Sequence, residues 1–320
     1  MTPRRAFLAA LLGAVALVLS ACGGQLAPGT DEGLRIGFVP KSLNQEYWVN
    51  TRHGAEAGGR QAHAKVVTLA AQSDTHIAEQ IDLVENLLAQ KVDALVIAPN
   101  DSDLLKPVLE KAAKRIPVVL FDSPIPGWKP QTAYVGTANK QGGIAMGRYV
   151  KKVVKKGTLA IIRGIPGSQV DIDRVDGVKE GVKGGGIKVV KEVSANFDRQ
   201  QAVGAMEDIL QTNPDVSAVF CANDQMALGA LQTLSARHLT GKIKLVGFDG
   251  AIEATQQIVA KQMYATVAQD PYGMAQIGIE EAARAVKHEK VKRNVNTGNP
   301  LVTQRNAKAY LAKVEKKLGG

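Results

Sequence analysis

Ile243-Lys-Leu-Val-Gly-Phe-Asp-Gly250 is an apolar run that ends abruptly in an acid and a glycine. Such a run reads as a buried strand whose last residue, Asp249, leaves the sheet. The same shape occurs at Ile116-Pro-Val-Val-Leu-Phe-Asp-Ser123, which delivers Asp122 in the same register. A second matching piece lies upstream of each: Ala94-Leu-Val-Ile-Ala-Pro-Asn-Asp101 before the earlier run, Ala218-Val-Phe-Cys-Ala-Asn-Asp224 before the later one. The unit strand-Asn-Asp, helix, strand-Phe-Asp therefore occurs twice, and an α/β chain of two similar lobes is predicted. Open parallel sheets bind ligands at the carboxyl ends of their strands, so two such ends facing each other would frame a cleft.

Outward from this pair, strand and helix alternate. Strands are predicted at 34–39, 65–70, 94–98 and 118–121. Between them fall helices at 47–62 and 102–114, and one capped by Ser73 or Asp74 with Ile77, Ile81, Val84, Leu87 and Leu88 at helical spacing. After a strand at 134–137 the alternation restarts, with helices at 139–154, 171–182, 200–210 (behind an Asp198 cap) and 226–236. The strands of this half fall at 158–162, 187–193, up to Asn223, 243–248 and 264–268. Asp270-Pro271 opens a helix at 272–287, and 306–318 forms an amphipathic helix docking by Tyr310, Leu311 and Val314. The pattern argues doubly wound parallel sheets, and 320 residues suffice for two domains of ordinary size.

The amino terminus differs in kind. Arg4 and Arg5 precede an uncharged apolar run at 6–19, which reads as a secretory signal and is too short to span a bilayer. It ends in Leu19-Ser20-Ala21-Cys22, which resembles the lipobox of bacterial lipoproteins. That resemblance implies a signal peptide at 1–21, removed to leave Cys22 lipidated as the first residue. Residues 22–33, rich in Gly and Pro, then read as a flexible tether. With Cys22 carrying lipid, Cys221 has no partner, and its place in an apolar strand suggests a buried inert thiol. The formal charge is +10, and +8 once Arg4 and Arg5 leave. Anionic partners are thereby suggested, yet the lysines scatter along helices (Lys151, Lys152, Lys155 and Lys156; Lys313, Lys316 and Lys317) without interleaved aromatics. A solvated helix face explains them better than a nucleic-acid surface.

The candidate chemistry is narrow. Five histidines show no metal-ligand spacing, and neither a nucleophile elbow, a phosphate loop nor a dinucleotide fingerprint is present, so neither a catalytic residue, a metal nor a cofactor is expected. Asp122 and Asp249 fit three roles: an acid/base pair for glycoside hydrolysis, strand-end acceptors for backbone donors, or charged acceptors for ligand hydroxyls. Their duplication suits the third best. Asn100 and Asn223 offer a donor and an acceptor each, although Asn100 also reads as a helix cap. Tyr47 and Trp48 follow the first strand, where an aromatic face suits a sugar ring; one of them is expected in the core, and Trp48 is favoured for the cleft.

Val219-Phe-Cys-Ala-Asn-Asp-Gln-Met-Ala-Leu-Gly-Ala230, Val246-Gly-Phe-Asp-Gly250 and Ala265-Thr-Val-Ala-Gln269 resemble the periplasmic monosaccharide-binding proteins of the ribose and galactose type. The resemblance covers residues 34–291 and implies two lobes joined by three hinge crossings, near Thr137-Ala138, Gln269-Asp270 and Thr297-Asn299. It divides the chain into an N-terminal lobe at 34–137 and 270–297 and a C-terminal lobe at 138–269 and 298–320. Ligand contacts implied are Asn44 or Gln45, Tyr47, Trp48, Asp122, Arg174, Phe197, Asn223, Asp249 and Gln269. Related repressors carry a helix-turn-helix where this chain has its lipobox. Ribose binders have an aspartate-arginine pair where Asp122-Ser123 stands, and an arginine at the position of Ile172; both departures weigh against ribose without deciding the sugar. The expected protein is a monomeric, lipid-anchored, non-enzymatic receptor outside the cytoplasm, which hands a monosaccharide to the permease of an ABC importer. The alternative is a sensor that presents a polyol or furanone signal to a membrane receptor.

Overall fold

The computed structural model describes residues 33–318. The signal peptide, Cys22 and residues 22–32 of the expected tether lie outside these residues. The first half alternates β1 (Arg35–Val39), α1 (Glu46–Ala62), β2 (Lys65–Thr68), α2 (Ile77–Ala89), β3 (Ala94–Ile97), α3 (Lys106–Ala113), β4 (Val118–Phe121) and β5 (Ala133–Gly136). The second half repeats the scheme with α4 (Asn139–Val154), β6 (Lys156–Arg163), α5 (Gln169–Val182), β7 (Gly186–Ser194), α6 (Arg199–Thr212), β8 (Ala218–Cys221), α7 (Asp224–Ala236), β9 (Lys244–Asp249), α8 (Ile252–Val259) and β10 (Ala265–Ala268). Then follow α9 (Pro271–Val286), β11 (Asn294–Asn296), β12 (Leu301–Thr303) and α10 (Ala307–Leu318).

The strands form two six-stranded sheets in matching order, β2-β1-β3-β4-β5-β11 and β7-β6-β8-β9-β10-β12. Every pairing is parallel except β10 with β12. The order reverses between β1 and β3, and between β6 and β8, which makes the crevice outside those strand ends the place for a ligand. The chain passes from one sheet to the other three times: between β5 and α4, between β10 and α9, and between β11 and β12. Strands β3, β4 and β8 are buried at every position, as sheets covered on both faces require.

Sequence explains three of the caps. Asp198, Asn223 and Asp270 each accept the backbone N–H three residues on, from Gln201, Met226 and Gly273. Two expectations are corrected. Neither Ser73 nor Asp74 caps α2: no side chain does so, because the Asp74 carboxylate is taken by Ser42 and Trp48. The helix expected from 102 begins at Lys106, since the Asp101 carboxylate accepts the N–H groups of Asp103 and Leu104 and folds the preceding stretch into a turn. Lys317 is exposed, as a solvated face predicts, and its ammonium also bonds both carboxylate oxygens of Asp270, at 2.6 and 2.7 Å. Helix α8 and strands β11 and β12 were not anticipated. Helix α8 buries Ala254, Thr255 and Ile258 on one face.

Close helix packing sets the position of α5. A Cβ at Gly143 of α4 would collide with the Arg174 carbonyl, and one at Gly177 of α5 with the Lys140 carbonyl. The two backbones therefore touch directly, which fixes where Arg174 starts from. Gly177→Ala is expected to cost about 1–3 kcal/mol in urea unfolding by overpacking this contact. Gly204→Ala in α6, where a Cβ meets nothing within 4 Å, should be neutral or gain about 0.5–1 kcal/mol.

Candidate functional site

The strand ends of both sheets supply the site. Gln45, Tyr47, Trp48, Asp122, Arg174, Phe197, Asn223, Asp249 and Gln269, all expected from the sequence, line a cavity of about 30 Å³. Asn44 does not: it is exposed, and its side-chain oxygen accepts the Ser42 hydroxyl at 2.7 Å. Of the pair Asn44 and Gln45, only Gln45 faces the cavity. Asn100 is not a lining residue, nor is it a cap; its buried amide finds no partner among the described residues.

On the side of the first sheet, Asp122 follows β4 with φ of 58°. Its Oδ1 accepts the Tyr47 hydroxyl at 2.6 Å and its Oδ2 the Ser123 hydroxyl at 2.7 Å. Trp48 is buried in the core, edge-on to Phe121, and donates its indole N–H to Asp74 Oδ2 at 3.0 Å. Both aromatics line the cavity, Trp48 from the core and Tyr47 with its hydroxyl on Asp122. Burial pushes the Asp74 carboxyl up from its ordinary range, against the pull of Lys41 and two hydrogen bonds.

On the side of the second sheet, Asp249 ends β9 with φ of 127°. Its Oδ1 accepts Gln269 Nε2 at 2.7 Å and Arg174 Nη1 at 3.2 Å. Arg174 is buried, donates Nε to Asn139 Oδ1 and Nη1 to the Ala222 carbonyl, both at 2.8 Å, and lies 4.0 Å from the Phe248 ring centroid. Burial raises the Asp249 carboxyl to about 6, with Arg174 the main opposing influence. Phe197, with φ of 59°, packs its ring on Gly164, where any Cβ would collide with it. Positive φ in Asp122, Phe197 and Asp249 costs about 1–3 kcal/mol each, and such strain gathers at functional sites.

Three further residues line the cavity and were not expected there: Lys41, Asp74 and Val170. Lys41 follows β1 and Asp74 lies in the loop after β2, on the same strand-end side as Asp122. Behind the cavity, sharing Tyr47, Asp249 and Gln269 as walls, lies a second one of about 200 Å³ reaching the crossings and Tyr310 of α10. The first cavity has room for a water molecule but is far smaller than the ~300 Å³ or more of pockets that take small molecules.

The periplasmic binding protein domain matches the chain over residues 36–290. The ribose import binding protein of Bacillus subtilis is 33% identical over 279 residues, which cover 87% of this chain and 90% of that protein. A carbohydrate transporter solute-binding protein from Agrobacterium radiobacter, solved with D-arabinose, superposes with a TM-score of 0.84 at 31% identity, covering 89% of this chain and 98% of that one. An ABC transporter solute-binding protein from Actinobacillus succinogenes, solved with D-allose, gives 0.81 at 31% identity, with coverage of 87% and 100%.

Arg174→Met leaves Asp249 without its cation. Breaking a buried ion pair from one side costs about 3–5 kcal/mol. Urea unfolding should show that loss at pH 8, where Asp249 is ionised, and a smaller one at pH 5, where its carboxyl holds a proton.

Proposed function

This chain belongs to the periplasmic binding protein family, and on that premise we propose that it is an extracytoplasmic receptor that binds a monosaccharide between its lobes and delivers it to an ABC-type importer. The observation that carries this reading is the pair Asp122 and Asp249, one contributed by each sheet to a single cavity. A sugar presents hydroxyls in all directions. Each carboxylate accepts them through charge-assisted bonds, the stronger kind, while Arg174, Lys41 and Gln269 donate. Asn223 and Gln45 serve as mixed partners, and Tyr47, Trp48 and Phe197 cover the apolar faces of the ring. The cleft binds without turning its ligand over.

Because its contacts come from both lobes, the sugar favours the closed arrangement over the open one and shifts the population between them. The lobes are 34–137 with 270–297, and 138–269 with 298–320, and the hinge lies at the three crossings. The relatives' names support the ligand class and the importer: one is a ribose import binding protein, and two are transporter proteins solved with D-arabinose and D-allose. The leader ending at Ala21 and the cysteine at position 22 support export and lipid anchoring of a monomeric receptor.

Two experiments test this reading. Asp249→Asn keeps the shape of the side chain and removes its charge, so calorimetric affinity for the sugar should fall roughly 10- to 150-fold, the range for one charged hydrogen bond, with the unfolding midpoint unmoved or raised at neutral pH. In the wild type the Asp249 carboxyl, raised to about 6 by burial, takes up a proton below that pH. Affinity should be flat above pH 7 and fall by up to about tenfold per unit below 6, and the slope should be absent in the Asn variant. An unchanged affinity in Asp249→Asn would contradict the assignment.

A further inference from the structure

The strands end at the cleft and start at the far pole of each lobe. At the first lobe's pole, Arg60, Lys91, Lys114, Arg115 and Lys287 sit at the C-terminal ends of α1, α2, α3 and α9, all exposed. Cations there complement the helix dipoles. That account does not extend to Lys65 at the start of β2, nor to Lys290, Lys292 and Arg293 in the connection from α9 to β11, all exposed as well. Among the described residues, none of these nine cations takes part in an ion pair. The exposed acids of the same segments are Asp93 and Glu289, and the Asp93 carboxylate already accepts the Arg35 N–H at 2.7 Å.

The described chain enters at this same pole, where Arg35 begins β1 in register with Lys65 of β2. Cys22 precedes Gly33 by eleven residues, at most about 40 Å of extended chain. We propose that this pole is a docking face for an anionic lipid bilayer, lying against the membrane to which the chain is tethered. The proposal rests on reading Cys22 as the point of anchorage. A lipid chain together with a basic patch is the combination that makes anchoring stable, and polybasic attraction acts only within about a Debye length of the surface. Segments 60–65, 90–93, 114–116 and 287–293 contain no Phe, Tyr or Trp. Base stacking and insertion of aromatic rings are thereby disfavoured, and a diffuse electrostatic contact remains. The second lobe's pole also exposes lysines, among them Lys152, Lys155, Lys183 and Lys242, but the chain does not enter there. Docking by the first lobe alone leaves the second free to turn about the crossings.

The test couples the mature chain through Cys22 to a maleimide lipid, in vesicles of phosphatidylcholine alone or mixed with phosphatidylglycerol. Cys221 is buried, so the coupling is selective. Acylation of individual lysines by a water-soluble reagent is then followed by mass spectrometry. Lys65, Lys114, Lys290 and Lys292 should react about threefold or more slowly on the anionic vesicles at ~0.1 M salt, and equally on both at ~1 M. Lys152 and Lys155 should not differ. Equal rates for the first four at low salt, or slowing at the second pole instead, would overturn the proposal. The quadruple variant Lys65→Glu, Lys290→Glu, Lys292→Glu, Arg293→Glu changes only exposed, unpaired groups, and should abolish the slowing at Lys114; slowing that persists would also overturn it. The lipid is supplied chemically here, so this outcome is separate from native lipidation, which is read from the mass of the protein's amino-terminal peptide isolated from membranes.

Discussion

The Arg174 guanidinium is the constraint on which the cleft depends. It is buried, pairs with Asp249, holds Asn139 at the first residue of α4 and the Ala222 carbonyl at the end of β8, and rests on the Phe248 ring. One cation thereby ties the two helices that begin the second half to two adjacent strand ends. Without it the Asp249 carboxylate would stand desolvated against Asp224 and Asp122, both of which repel it. With it, an acid can be kept at a strand end in a strained backbone and still hold lone pairs toward the cavity.

That arrangement explains how packing serves binding. The glycines of α4 and α5 let the helices touch, which fixes the origin of Arg174; Arg174 then fixes Asp249. In the first lobe Gly54 and Gly58 bring α1 equally close to the Tyr272 and Gln276 carbonyls of α9, and α1 carries Tyr47 to Asp122. Each sheet presents one carboxylate whose protein partners are already in place, so under the proposed function a ligand would meet a preformed acceptor on each side. The Tyr47 hydroxyl occupies one oxygen of Asp122.

Asp122 and Asp249 were legible in the sequence because an apolar run ending in an acid leaves little doubt about where the acid emerges, and because the run occurs twice. Asp74 was not legible. A short acid ahead of an amphipathic helix reads as a cap, and only the fold reveals that its donors are Ser42 and the Trp48 indole rather than the backbone of α2. Lys41 hid for the opposite reason: a lysine in a loop reads as solvated, yet it is only 3% exposed. The short strands β11 and β12 carry no periodicity to find, since three residues cannot show alternation. The even spread of lysines along the sequence likewise concealed a basic pole that forms only when four helix ends and a connecting loop converge.

Under the proposed function one small ligand bridges the two lobes and closes them. Spin labels at Lys91→Cys and Lys183→Cys, exposed positions in opposite lobes, report the distance between the lobes in a chain beginning at Gly23, in which Cys221 is buried. Titrated with a panel of aldoses and polyols, the distance distribution should collapse to a single shorter population for one class of sugar, and stay broad with the same sugar in Asp122→Asn. A distribution that no sugar alters in a fully folded protein, or one that Asp122→Asn leaves equally responsive, would contradict the account.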